Sequence, residues 1–300
     1  MQILDHKLDE LYSSLISELT RAMALPQTDN VHRVIEWILG GAILRFSKLL
    51  LDFDAEIEHK GPVAGVQSFL PHFIENHEVR GEEIIPRSGP LLIVSNHPAA
   101  FDSLIISAHV NRSDYKIITS EIPPYHYLPH VLQHVIFSPP VKDTVGRMQT
   151  VRHAIHHLKE GGALLIFPRG RIESDPAFMP DPGAEFDQWS RSLEILLRRV
   201  PQTRVLVTIV GGVIAPAAMR HPITWFRKAR SDRQRLAFMY QALRQILSGK
   251  ELYGLTPRVT FGEVLSELNR QQILPEIEQS ARRTLAQHMA YFKYPTPIYD

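Results

Sequence analysis

Near residue 79 the hydrophobic period of the chain changes, and that change constrains the fold more than any other feature. Downstream, short apolar runs rich in Val and Ile occur at 91–94, 115–119, 135–137, 163–167, 205–210 and 258–261. They alternate with helical patterns at about 102–110, 145–160, 190–199, 233–248 and 274–290. Strands separated by helices imply βαβ units around a largely parallel sheet. Upstream, the pattern is helical throughout. Leu4, Leu8, Leu11, Leu15 and Leu19 recur at the spacing of one helix face, and Pro26 ends that element. A second helix is predicted over 31–51 and a third near 64–76, with Pro71 inside it. The expectation is an α/β protein with a mostly parallel mixed sheet flanked by helices. A small N-terminal helical bundle at 1–78 would precede an α/β domain at 79–300.

A chain of 300 residues buries roughly 75% of its unfolded surface, so it can form a core without disulfide staples. Hydrophobic residues are 44% and charged residues 22%, which excludes bulk disorder, collagen and coiled coil. The absence of cysteine excludes a disulfide scaffold, a thiolate zinc site and a covalent cysteine–acyl intermediate. The most apolar stretch, 31–53, is interrupted by Arg33, Glu36, Arg45 and Lys48, whereas a membrane span needs about 20 nearly uncharged residues. The N-terminal decapeptide is acidic and lacks the basic region of a signal peptide. A cytoplasmic protein is expected. The four charges of 31–51 fall within about half of a helical wheel. That pattern fits a bundle helix facing a core, the commoner case, and it also fits an interfacial membrane helix.

The formal net charge of +1 conceals an asymmetry. Residues 1–85 carry 7 Lys/Arg against 14 Asp/Glu, and 191–235 carry 10 against 2. A basic segment on a near-neutral chain fits a solvated helix or an anionic partner: phosphate, anionic lipid or nucleic acid. Within 220–235, Trp225 and Phe226 sit among the basic residues. That mixture favours contact with the inner face of a membrane over nucleic acid, for which no recognised motif is present.

Two stretches carry chemistry. The first is LLIVSNHPAAFDS at 91–103. A buried strand ends at Ser95, Asn96 and His97 follow, and Asp102 opens a helix. Ligands of open α/β sheets bind at the carboxyl ends of strands. The five-residue spacing lets the carboxylate of Asp102 reach back to the His97 imidazole, which is half of a general-base arrangement. Helix capping by Asp102 is the alternative use of that residue. The second stretch is GGALLIFPRGRIESD at 161–175. Here Pro168 stops a strand, Gly170 permits close approach, and the forks of Arg169 and Arg171 suit phosphate or carboxylate oxygens. The segment 174–190 holds three prolines and no periodicity, and it reads as a long functional loop.

Together these stretches resemble the glycerol-3-phosphate and lysophosphatidate acyltransferase family. Its first block, Asn-His-x4-Asp, is matched by Asn96, His97 and Asp102. Its third block, Phe-Pro-Glu-Gly-Thr-Arg, aligns with Phe167, Pro168 and Gly170. In that block Arg169 and Arg171 replace the family's Glu and Thr, and the family's Arg falls on Ile172. The apolar run 205–210 sits where the family has its fourth block, and Val259-Thr260-Phe261-Gly262-Glu263 looks like its closing strand. The second block's arginine is absent after Ile136-Phe137, so Lys142 or Arg147 would take its phosphate contact. The Gly-Arg pair followed by a Pro-rich, Trp-containing loop is similar to the soluble plastid-type glycerol-3-phosphate acyltransferases, which also carry an N-terminal helical bundle.

The resemblance implies acyl transfer from acyl-carrier protein or acyl-CoA to the hydroxyl of glycerol 3-phosphate or a lysophospholipid, in phospholipid biosynthesis. His97 would be the base and Asp102 its support. Lys142, Arg147, Arg169, Gly170 and Arg171 would hold the acceptor phosphate, with Asn96 and Pro168 supporting. Backbone amides near 98–101 would stabilise the oxyanion. No cofactor and no metal are expected. The sets His126/His130/His134 and His153/His156/His157 have helical ligand spacing, but neither has an acidic third ligand at a set distance. No Gly-x-Ser-x-Gly elbow supports a serine hydrolase. The alternative is a non-catalytic acyl-carrier- or lipid-binding member of the same fold.

Overall fold

The computed structural model describes residues 2–23, 25–140 and 142–294. Three helices open the chain: α1 (Gln2–Ala22), α2 (Asp29–Lys60) and α3 (Pro62–Phe69). Then follow β1 (Glu78–Arg80), β2 (Leu91–Ser95), α4 (Asp102–Ser107), β3 (Tyr115–Ser120), α5 (Pro129–Leu132) and β4 (Val135–Ser138). Next come α6 (Thr144–Lys159), β5 (Ala163–Ile166), α7 (Ser192–Arg199) and β6 (Arg204–Gly211). The chain continues with α8 (Pro216–Met219), α9 (Arg230–Ser248), β7 (Arg258–Leu265) and α10 (Ile273–Phe292).

The sheet order is β1-β7-β6-β2-β5-β3-β4. The five strands from β6 to β4 run parallel, while β7 is antiparallel to β6 and parallel to β1. The sheet is therefore mostly parallel and mixed. Strands covered by helices on both faces read as unbroken apolar runs, and every residue of β2 and β5 is buried. Alternate side chains feed two separate cores. Leu91, Ile93, Ala163 and Leu165 join Phe53, Ile57, Phe69 and Ala237 on the face covered by α2, α3 and α9. Leu92, Val94, Leu164 and Ile166 join Ala154, Leu158, Leu193 and Ile277 on the face covered by α6, α7 and α10. Burying the four apolar side chains of β2 contributes about 6–12 kcal/mol.

On the first face a row of rings links the N-terminal helices to the turn between β2 and α4. Phe53–Phe69, Phe69–Phe73, Phe73–Phe101 and Phe101–Phe238 have centroids 5.0, 5.1, 4.5 and 5.1 Å apart. Each such pair contributes about 0.5–1.5 kcal/mol beyond its area. Asp54 of α2 adds a polar tie, accepting the N–H groups of His130 and Val131 at the start of α5 (2.9 and 3.0 Å).

Four sequence expectations need correction. β1 was not predicted, because three residues of edge strand carry no periodic signal. The second helix runs to Lys60 rather than 51, since Phe53 and Ile57 keep its apolar face in register with the core. The stretch 64–76 is not one helix. α3 ends at Phe69 and a 3₁₀ turn, Leu70–His72, follows, because Pro71 has no N–H and disfavours helical geometry before it. The helix after Asp102 ends at Ser107 rather than 110. One side of α2 faces the core and the other faces outward. Ile35, Ala42 and Ile43 are buried, while Val34, Trp37, Ile38 and Leu44 form an exposed stripe, Trp37 at 86%. Among the described residues, no helix is long and apolar enough to cross a membrane.

Candidate active site

β2 ends in the middle of the sheet, and its last residues deliver His97 to the carboxyl edge beside the ends of β5 and β6. Asn96 fixes this exit. Its side-chain nitrogen donates to the Val210 carbonyl and its oxygen accepts the Val210 N–H, both at 2.8 Å. His97 and Asp102 meet across the turn. His97 Nδ1 lies 2.9 Å from Asp102 Oδ2. The carboxylate also accepts the N–H groups of Ala99 (3.1 Å) and Ser103 (2.6 Å). Asp102 thus braces the imidazole and the helix start together.

Asp102 is fully buried, whereas the His97 side chain keeps 24% exposure. A carboxylate only accepts, so Nδ1 carries the proton and Nε2 is left as the basic atom. The ring stacks on Phe167 at 4.3 Å. Burial alone would lower the His97 pKa. The charge and hydrogen bond of Asp102, with a contribution from Glu173, outweigh it, so the net shift is upward.

The loop after β5 packs beside this turn. Gly170 closes a tight turn on Phe167 (3.0 Å) with φ of 64°, a left-handed conformation that favours glycine. Arg169 is half-buried and engaged within the loop. Its guanidinium donates to the Ile172 carbonyl (2.7 Å), to Glu185 (3.2 Å) and to Gln188. Pro168 is buried, and its carbonyl accepts the Ser190 N–H at 3.2 Å. Arg171 is exposed. Lys142 and Arg147 are also exposed, but they follow β4, three strands from β2. At about 4.8 Å per strand that is ~14 Å across the sheet. The fold thus brings together Asn96, His97 and Asp102, sets the loop that carries Pro168, Gly170 and Arg171 beside them through Phe167 and Glu173, leaves Lys142 and Arg147 to one side, and ties Arg169 to a carboxylate.

Three site residues escaped sequence reasoning. Glu173 is buried with its carboxylate on the His97 N–H. Asp175 is buried and accepts the N–H groups of Ala177, Gly212 and Val213 at 2.8–3.2 Å, joining this loop to the end of β6; burial pushes its carboxyl up to about 6. Gln234 of α9 donates to the carbonyls of Pro98 and Glu173. Its signal was the recurrence of Gln234, Gln241 and Gln245 on one buried helix face. Because Gln234 touches the His97 turn, the basic segment leading into α9 lies at the same end of the sheet as His97.

An apolar cavity of about 240 Å³ begins at this turn. Ala100, Phe101, Ser103 and Leu104 line its near side, and α2, α3 and β3 contribute Phe53, Val66, Phe69 and Ile117. A larger groove of about 530 Å³, of mixed polar and apolar lining, lies by α6 and β4, lined by Lys116, Glu121 and His153 among others, away from the His97 turn. The two histidine sets are dispersed: His126 pairs with Glu121, His130 with Glu58, His156 with Glu160, and His157 bonds the Ala163 carbonyl. Among the described residues, no group of three or more potential ligands is arranged to hold a metal.

Residues 76–220 match the family model described as Acyltransferase. No curated protein matches the chain. Among solved structures, the crystal structure of the 1-acyl-sn-glycerophosphate (LPA) acyltransferase PlsC from Thermotoga maritima aligns over 94% of this chain and 98% of that one. The identity is 13% and the TM-score 0.44.

Proposed function

From the match of residues 76–220 to the Acyltransferase family model we propose that the protein moves a fatty acyl group from an acyl thioester to the hydroxyl of glycerol 3-phosphate or a lysophospholipid. The observation that carries this reading is the His97–Asp102 pair on a turn whose next residues, Ala100, Phe101, Ser103 and Leu104, line an apolar cavity. The cavity accommodates the acyl chain, and burial of each methylene contributes about 0.8 kcal/mol.

His97 Nε2 takes the proton of the acceptor hydroxyl as its oxygen attacks the thioester carbonyl. Asp102 stabilises the imidazolium that forms. The tetrahedral intermediate collapses, the C–S bond breaks, and the thiolate leaves with the proton from Nε2. No bond to the enzyme forms. The Ala99 amide is committed to Asp102, which leaves those of Ala100 and Phe101 as donors for the oxyanion. General-base work of this kind is worth about 10²–10⁴ in rate.

Arg171 and the basic residues before α9, among them Arg220, Arg227 and Lys228, supply the positive field for the acceptor phosphate. The donor is acyl-carrier protein or acyl-CoA. Membrane contact draws on the exposed stripe of α2, flanked by Arg33, Arg45 and Lys48, and on Trp225 and Phe226, 68% and 85% exposed. Aromatic rings beside cationic side chains suit the interface of an anionic bilayer. The test is thiol release from acyl-CoA and acyl-carrier protein with a panel of acceptors. Release that depends on glycerol 3-phosphate or a lysophospholipid is expected. Absence of acceptor-dependent release with every acceptor would overturn the reading in favour of a binding role.

A further inference from the structure

The turn that carries His97 is held from a second side. Glu173 is 1% exposed. Its N–H donates to the His97 carbonyl (2.8 Å) and its Oε2 accepts the His97 N–H (2.9 Å). Residue 97 is therefore bonded through both of its main-chain groups to one partner. Glu173 Oε1 accepts the indole N–H of Trp189 (2.8 Å). Gln234 spans the joint, donating to the carbonyls of Pro98 (2.7 Å) and Glu173 (2.6 Å).

Both groups aimed at the Glu173 carboxyl are N–H donors with no capacity to accept. Only an ionised carboxylate satisfies them at both oxygens. Burying such a charge costs several kcal/mol before compensation, which is more than packing a turn requires. We propose that Glu173 is a positioning residue for acyl transfer: it sets the His97 main chain so that the ring meets Asp102, and its negative charge steadies the imidazolium formed during proton transfer. The inference rests on His97 acting as the base.

The charged groups around this pair are Asp102 at the imidazole, Asp175 at the end of the loop, and Glu185, whose charge Arg169 offsets. Burial pushes the Glu173 carboxyl up to about 7; the Trp189 hydrogen bond opposes the rise and Glu185 adds to it. Acid that protonates Glu173 weakens the joint, while Asp102 shifts the His97 pKa upward.

The test is steady-state kinetics of the full chain with a long-chain acyl-CoA and the acceptor the wild type prefers. Glu173→Gln places an amide NH₂ against one N–H donor and removes the charge. Its kcat falls about 10- to 100-fold with acceptor KM within threefold, and the acid limb of kcat/KM moves to lower pH. Adding Trp189→Phe removes the opposing indole donor, so the glutamine carbonyl again accepts the His97 N–H. The double variant regains at least fivefold in kcat over the single one, while its acid limb stays shifted. A folded Glu173→Gln protein with kcat within threefold of wild type and an unmoved limb overturns the proposal. If the single variant does not fold, the double variant carries the same test. His97→Ala, run alongside, separates the two claims: an active His97→Ala enzyme defeats the base assignment, whereas an inactive one beside an unaffected Glu173→Gln defeats only this inference.

Discussion

Replacing Asp102 by Asn changes one atom and removes one charge, and the geometry dictates how the amide settles. Three N–H donors converge on the carboxylate: Ser103 on Oδ1 at 2.6 Å, and Ala99 and His97 Nδ1 on Oδ2 at 3.1 and 2.9 Å. An amide NH₂ at the Oδ1 position meets the Ser103 N–H at the shortest of these distances. At the Oδ2 position it meets the more distant Ala99 N–H and can donate to Nδ1. The second placement is favoured, and it forces the His97 proton onto Nε2, the atom that must accept. Loss of a charge-assisted hydrogen bond worth about 1.5–3 kcal/mol gives a decrease of about 10- to 150-fold in kcat on its own. The wrong tautomer extends that toward ~10⁴. The residual activity has its acid limb at lower pH, because Asp102 is the principal cause of the upward shift of His97. The assay is acceptor-dependent thiol release across pH, with ¹⁵N NMR of labelled histidine to read the tautomer. A folded Asp102→Asn enzyme with kcat within fivefold of wild type would refute the reasoning.

Other consequences are equally concrete. Leu104→Trp or Val66→Trp fills part of the apolar cavity and shifts donor preference toward shorter chains, read as a ratio of kcat/KM values across acyl-CoA lengths. Trp37→Glu together with Phe226→Glu weakens binding to anionic vesicles at least tenfold in sedimentation, while turnover of a water-soluble acceptor stays within twofold. Arg171→Ala raises the acceptor KM about tenfold with little change in melting temperature. Arg169→Ala does the reverse, since it removes the partner of Glu185 and costs about 2 kcal/mol in stability, measurable by denaturant unfolding. In wild type, kcat/KM rises with pH through a limb above the ordinary histidine value of about 6.5, because a raised pKa keeps the base protonated to higher pH.

The elements with a strong period were legible from residues alone. β2 and β5 announced themselves as unbroken apolar runs because both faces of a parallel sheet are covered, and α1 and α9 showed their stripes. β1 was silent because a three-residue edge strand has no period to read. The extent of α2 was missed because its buried face continues past 51 through widely spaced residues, Phe53 and Ile57. The His97–Asp102 contact followed from a local spacing. Sequence offered no means of placing Arg169 against Glu185, or of bringing Glu173 and Gln234 to the His97 turn, because these contacts join segments 16 to 136 residues apart. A buried carboxylate such as Glu173 has no periodic signature, and the spacing of Gln234, Gln241 and Gln245 marks a helix face but not its partners.

The central claim is that the His97 imidazole removes the acceptor proton, and the most direct measurement is the kcat of His97→Ala for acceptor-dependent thiol release from acyl-CoA. The account predicts a loss of about 10²–10⁴-fold with the fold intact by circular dichroism. Turnover near the wild-type rate would contradict it.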